Sequence, residues 1–286
     1  MKLLSVIIPT YNMEKYLDRC ISSFVACENR NLLELVVVND GSKDSSSEIA
    51  HRYADEFPDV VKVIDKKNGH YGSCINVALP ILRGKYTRIV DSDDWVSTEG
   101  LNTLLTKLHS LDVDIVFTDY ECVYEKSGKV CTKRINGQKI NEVISIDDNR
   151  LSLLNDKEDL KMHHMTYRTQ LLLDSNYRQT EGVVYTDTEY VFYPLMRAKT
   201  VTFFDIVLYQ YMVGREEQSI ALSSRLLHTK DYYPIINRMM ENTFAEISET
   251  HGRLLKRYVA YVLACLYHNL LVLQPLTDET RNALVS

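Results

Sequence analysis

Between Leu3 and Thr118, short apolar runs alternate with segments whose apolar residues recur every three or four positions. Leu3 to Ile8 is apolar and β-branched with no polar alternation, as a strand buried on both faces requires, and Pro9 stops it. Leu35 to Val38, Val60 to Ile64, Tyr86 to Val90 and Val113 to Thr118 read as further strands. Between them, Leu17, Cys20, Ile21, Phe24 and Val25 mark a helix with Asn12 as its N-cap. Ile49, Tyr53 and Phe57 mark a second, behind the capping-box pattern Ser45-x-x-Glu48. A third is predicted from about Cys74 to Gly84, kinked at Pro80, and a fourth carries Leu101, Leu104, Leu105, Leu108 and Leu111 behind Thr98 as cap. This alternation predicts an α/β chain with a Rossmann-like, mostly parallel sheet and helices on both faces.

Ligands of such sheets sit beyond the carboxyl ends of the strands, where the strand order reverses. The polar clusters of this chain fall there: Pro9-Thr10-Tyr11-Asn12 after the first strand, Asn39-Asp40-Gly41-Ser42 after the second, the Lys66-Lys67-Asn68-Gly69 loop after the third. After the fourth comes Asp91-Ser92-Asp93-Asp94. Positions i and i+2 of an extended chain face one side, so Asp91 and Asp93 can share a ligand. Carboxylates so crowded repel unless a cation or hydrogen-bond donors sit among them. A divalent metal suits them, since Mg²⁺ and Mn²⁺ take oxygen ligands, commonly one or two carboxylates plus substrate phosphates. A solvated acidic turn is the plain alternative.

Beyond Tyr120 the rhythm changes. Glu121 to Tyr124 and Lys129 to Lys133 flank Ser127-Gly128 as a hairpin, and a polar stretch runs to about Leu160. Met162 to Leu173 reads as a short strand and helix, and Thr186 to Glu189 opens a helix ending near Ala198. Short strands follow at Val201 to Phe204 and Val207 to Tyr211, then helices whose clearest segments are Tyr233 to Phe244 and Leu254 to Leu273. The expected division is residues 1–220 as one domain, with halves 1–120 and 121–220, and a helical region over 221–286. A net charge of −6 argues against general binding to nucleic acid. The six cysteines lack zinc-like spacing and read as reduced core thiols. No stretch is apolar for the roughly 20 residues a membrane span needs. The expectation is a cytoplasmic protein, with peripheral association at the inner face of the cell membrane left open.

Ser5 to Asn12, Val36 to Asp44, Asn68-Gly69 with Asn76, and Asp91 to Asp94 together closely resemble the family 2 glycosyltransferases of the GT-A fold. Glu181-Gly182-x-x-Tyr185-Thr186-Asp187-Thr188-Glu189 and Gly214-Arg215-x-x-Gln218-Ser219 extend the resemblance more loosely to about residue 220. It implies inverting transfer of a hexosyl or hexosaminyl group from a nucleotide sugar, usually a UDP-sugar, to an acceptor hydroxyl on a carbohydrate or lipid-linked glycan, in bacterial cell-surface polysaccharide or glycan synthesis. It also implies roles. Pro9, Thr10, Tyr11, Asn12, Asp40, Asn68, Gly69, Asp91 and Ser92 would bind the nucleotide, Asp93 would hold the metal, with Asp94 assisting or capping, and Asp187 would be the base. Glu189 is the fallback base. His163 and His164 would hydrogen-bond sugar or diphosphate, and Arg215, Lys66 and Lys67 would add positive charge. Two departures stand out: the usual Glu-Asp pair reads Thr186-Asp187, and Cys74-Ile75-Asn76 lacks the arginine often found before the asparagine.

Two other classes compete. An Asp-x-Asp phosphotransferase would place its pair after the first strand rather than the fourth. A catalytically silent sugar-nucleotide-binding module would keep the base pocket and tolerate loss of Asp187.

Overall fold

The computed structural model describes residues 2–135, 138–215, 218, 221–241 and 247–273. In chain order the elements are β1 (Leu4–Thr10), α1 (Leu17–Val25), β2 (Leu33–Asn39), α2 (Ser46–Glu56), β3 (Val61–Asp65), α3 (His70–Ala78), β4 (Tyr86–Ile89), β5 (Trp95–Val96) and α4 (Thr98–Ser110). Then come β6 (Ile115–Tyr124), β7 (Val130–Lys133), β8 (Val143–Ser145), β9 (Met165–Arg168), α5 (Thr169–Asp174), α6 (Asp187–Arg197), β10 (Thr200–Val213), α7 (Leu222–Leu227), α8 (Tyr232–Met240) and α9 (Glu249–His268).

The strands form one sheet in the order β3-β2-β1-β4-β9-β6-β10-β5, with β7 beside β6 and β8 beside β10. Pairing is parallel from β3 through β4 and again between β6 and β10. The short β9 is inserted antiparallel between β4 and β6, where the sequence offered only a brief apolar stretch. Leu4, Val6 and Ile8 of β1 pack on the face covered by α1, α2 and α4, while Ile7 faces the layer of α3, α6, α8 and α9. This is the strict two-residue alternation of a strand buried on both sides. β2 and β3 lie on one flank of β1 and β4 on the other, so the strand order reverses between β1 and β4.

Several expected boundaries move. Asn12 does not cap α1, which starts five residues later; it takes a left-handed backbone (φ 53°), and its Oδ1 accepts the Lys43 N–H at 2.8 Å. Ser45 precedes α2 without a capping bond of its own; the Asp44 carboxylate accepts the Ser46 N–H instead, at 3.1 Å. α3 begins at His70 rather than near Cys74, and Pro80 ends it in a 3-10 turn instead of kinking it. Ser97, not Thr98, caps α4 by accepting the Gly100 N–H at 3.1 Å. The fifth predicted strand and the first arm of the hairpin are one strand, β6, and the two short strands after Lys199 are one strand, β10, irregular between Phe204 and Tyr209. Phe244 and Ser219 lie outside the described residues.

The cysteines are free, four of them buried. No described helix is long and apolar enough to cross a membrane. Ile235, Met239, Leu255, Tyr258 and Val262 of the C-terminal helices belong to the same apolar core as Ile7, Val36 and Ile89 of the central strands.

Candidate active site

At the reversal point, the end of β4 delivers Asp91, Asp93 and Asp94, each with a carboxylate oxygen within 4.8 Å of the others'. Their surroundings separate them. Asp94 is fully buried; its Oδ2 accepts the Tyr209 hydroxyl at 2.6 Å and its Oδ1 the Met212 N–H at 2.7 Å. Burial, then the charges of Asp93 and Asp91, push its carboxyl far above the usual range. Asp91 accepts the Tyr71 hydroxyl on Oδ1 at 2.8 Å, and its N–H donates to the Tyr209 oxygen at 3.1 Å. Burial, reinforced by the neighbouring Asp93 charge, raises its pKa to about 7. Asp93 binds Arg215 Nη2 through Oδ2, and its carbonyl accepts Arg19 Nη2 at 2.8 Å. The Arg19 guanidinium lies 3.8 Å over the Trp95 ring, which fixes the turn from behind. Ser92 is buried between them.

The donor set fits a hard divalent cation. It is all oxygen, and among the described residues Tyr71 and Arg215 engage one oxygen each of Asp91 and Asp93, leaving the other oxygen of each for a metal. Asp94, with both oxygens engaged, holds the turn together instead.

On the β1–β2–β3 side, Tyr11, Gly41, Lys43, Asp65, Lys66, Lys67 and Asn68 line an open cavity of about 600 Å³, within the range of small-molecule sites. Asp40 lies buried beneath; its Oδ1 accepts Lys66 Nζ at 2.6 Å and the Gly69 N–H at 3.0 Å, and its own N–H donates to the Thr10 carbonyl at 2.8 Å. Lys66 is thereby tied to Asp40 and to Ser73, while Lys67 is exposed. Pro9 is buried in register with Val38.

Asp187 opens α6, and its charge acts on Asp91, Tyr71 and Tyr211, raising the pKa of each. Burial raises its pKa, opposed by the charge of Lys161 and by the N–H groups of Thr188 and Asp187 itself. Tyr185, two residues before, has a left-handed backbone (φ 66°) and stacks on Tyr232 of α8 at 4.6 Å. An aromatic residue in that conformation is strained and persists only where packing enforces it.

Three expected site residues are engaged by neighbouring parts of the fold. Glu189 is fully buried, its carboxylate clamped by the Thr180 N–H at 2.6 Å, the Thr180 hydroxyl at 2.9 Å and Arg238 Nη1 at 2.8 Å. His163 packs its ring against Tyr120, Tyr209 and Tyr211, and burial lowers its pKa well below the usual imidazole value. His164 holds the Thr118 carbonyl through Nδ1 at 2.6 Å, with its pKa lowered to about 4, chiefly by burial. The sequence reading missed Tyr71, Tyr209, Arg19 and Arg88. Arg88 is fully buried, donating to the Thr166 hydroxyl at 2.9 Å and to the His163 carbonyl, and burial lowers its pKa to about 10. An arginine inside an apolar strand was the visible signal; nothing in the local pattern marks the tyrosines.

The profile of Glycosyl transferase family 2 matches residues 5–168, more than half of the chain. The chain belongs to the family 2 glycosyltransferases. It is 35% identical over 125 residues to glycosyltransferase GlyA of Streptococcus pneumoniae, a match spanning 44% of this chain and 18% of GlyA. It thus spans only a small part of that relative's length. Staphylococcus aureus TarS 1–349, solved in complex with UDP-GlcNAc, superposes with a TM-score of 0.70 at 22% identity over 98% of this chain and 78% of that one. The mannosyltransferase PcManGT of Pyrobaculum calidifontis, solved with GDP-Man and Mn²⁺, gives 0.58 at 17% identity over 99% and 78%. These likenesses bear out the expected glycosyltransferase fold, and the aspartate cluster agrees with the family's use of a divalent metal.

Proposed function

We propose that this chain transfers a hexosyl or hexosaminyl group from a UDP-sugar to an acceptor hydroxyl with inversion at the anomeric carbon. The observation that carries the reading is the clustering of Asp91 and Asp93 with Asp94 at the reversal point, with Asp187 near enough for its charge to act on Asp91, and a nucleotide-sized cavity on the β1–β2–β3 side. Thr10, Tyr11, Asn12, Asp40, Asn68 and Gly69 bind base and ribose, and Asp91 takes a ribose hydroxyl. Asp91 and Asp93 hold Mn²⁺ or Mg²⁺, which when bound stabilises the leaving diphosphate as a Lewis acid. Arg215, already paired with Asp93, adds positive charge there.

Asp187 accepts the proton of the acceptor hydroxyl as its oxygen bonds to the anomeric carbon from the face opposite the diphosphate. The sugar–phosphate bond breaks, and its electron pair leaves with the nucleotide. Burial favours this role, since a base works best when its pKa is raised toward the operating pH. The acceptor we assign is a carbohydrate of cell-surface polysaccharide synthesis, free or lipid-linked. TarS, 25% identical over 250 residues that are 86% of this chain and 42% of TarS, is named a poly(ribitol-phosphate) β-N-acetylglucosaminyltransferase. A panel of UDP-glucose, UDP-galactose, UDP-GlcNAc and GDP-mannose, each with Mn²⁺ or with EDTA, tests the donor class. UDP release from at least one UDP-sugar, dependent on metal, is expected. No release from any donor, or equal rates in EDTA, would overturn the reading.

A further inference from the structure

Helix α3 faces the site in two directions. Near its start, Tyr71 donates to Asp91. Five residues on, the Asn76 side chain grips the main chain of Gln179: its Oδ1 accepts the Gln179 N–H at 2.8 Å, and its Nδ2 donates to the Gln179 carbonyl at 2.9 Å and to Glu181 Oε1 at 2.8 Å. The Gly69 carbonyl accepts the Gly182 N–H at 3.2 Å, and at Gly72 the loop comes so close that a Cβ would stand 2.2 Å from the Thr180 carbonyl oxygen.

From this loop the contacts run on to α6. The buried Gln179 side chain accepts the Thr186 hydroxyl on Oε1 at 2.9 Å and donates through Nε2 to the Tyr177 hydroxyl at 2.8 Å. Thr186, only 1% exposed, immediately precedes Asp187. Thr180 meanwhile holds Glu189 one turn into the helix. A short segment is thus hydrogen-bonded on one side to α3 and on the other to the first turn of α6. Buried polar chains whose members are satisfied hold one geometry, because any other leaves a donor or acceptor unpaired.

We propose that Asn76, Gln179 and Thr186 are positioning residues that latch the Asp187 end of α6 to α3, so that one helix sets the spacing between the donor-side Asp91 and the base. This rests on the reading of Asp187 as base. Asn76 belongs to the nucleotide half of the chain, yet its work is done on the acceptor half.

Thr186→Val removes the hydroxyl with little change of shape and leaves Gln179 Oε1 unpaired in a buried place. With the UDP-sugar turned over in the donor panel, kcat is expected to fall about tenfold to a hundredfold, the scale of a misplaced catalytic group. Donor KM and calorimetric affinity for UDP with Mn²⁺ stay unchanged, Thr186→Ser restores turnover, and Asn76→Ala repeats the Thr186→Val result. Wild-type turnover in Thr186→Val beside an inactive Asp187→Asn overturns the latch alone. Loss of UDP affinity in step with kcat, or no rescue by serine, overturns it as general damage to the fold. Wild-type turnover in Asp187→Asn removes the base and the latch together.

Discussion

Asp93 and Asp94 are neighbours in the chain, yet one is available to a ligand and the other is consumed by the fold. Tyr209 and the Met212 N–H occupy both oxygens of Asp94, which keeps β10 against the turn. Substituting each by asparagine separates the roles. Asp93→Asn is expected to weaken UDP binding in the presence of Mn²⁺ about tenfold or more, and Asp94→Asn to lower Tm while changing that affinity less than about threefold, by calorimetry beside thermal unfolding. Backbone strain gathers at the same rim, where His70 at the start of α3 and Tyr185 in the loop before α6 have left-handed backbones; Asn12, just after β1, shares the conformation at little cost. Asn141 and Asn176 share the conformation elsewhere, but asparagine tolerates it. The aspartates were legible because charge crowded at a strand end has few cheap explanations. Tyr71 and Tyr209 were not: their partners lie 20 and 115 residues away along the chain, and tyrosine fits a core equally well.

At the scale of elements, the periodicity of apolar residues located the strands from β1 to β4, the inward face of α1 residue by residue, and that of α4 except for Leu111, which lies past the helix end and is only partly buried. Caps were read less well: Asp44 and Ser97 cap in place of their neighbours Ser45 and Thr98, and Asn12 is drawn away to the Lys43 N–H. Insertion of β9 was illegible, since the strands it pairs with on its two edges, β4 and β6, lie far from it along the chain. Two predictions belong here. Gly72→Ala drives a methyl into the Thr180 carbonyl, so α3 and the loop must part; a loss of about 1–3 kcal/mol in denaturant unfolding is expected, with turnover falling too. The second concerns the end of the sheet opposite the site. Burial would raise the pKa of Glu34, but bonds from Ser5, from the Arg83 N–H and side chain and from Lys62 outweigh it and lower it from 4.5 to about 2. A carboxylate with a depressed pKa stabilises the fold above its unfolded value, and that contribution is lost as pH falls through the folded one. Glu34→Gln should therefore flatten the decline of stability between pH 4.5 and about 2, followed by urea titrations at each pH.

Across the whole molecule, the helices after residue 221 help build the site. Tyr232 of α8 stacks on the strained Tyr185, and Asp231 accepts the Val184 N–H at 3.1 Å, so the approach to Asp187 is braced from the C-terminal region. Leu255 of α9 is fully buried in the core that reaches the central strands. Leu255→Ala is expected to cost about 3 kcal/mol and to lower the single transition followed by near- and far-ultraviolet circular dichroism alike. Two separate transitions would mean that the helical region folds on its own. The sequence reading set this region apart because its composition turns helical there; its packing rests on partners far along the chain, such as Arg257 on Asp156 and Arg238 on Glu189, which no local pattern displays.

The central claim is that donor binding and proton transfer are divided between the aspartates after β4 and Asp187 at the start of α6. Asp187→Asn tests it most directly, with UDP affinity measured by calorimetry in Mn²⁺ and UDP release measured from the donor the enzyme uses. The account predicts unchanged affinity and a rate reduced about a hundredfold or more. Unchanged turnover would contradict it.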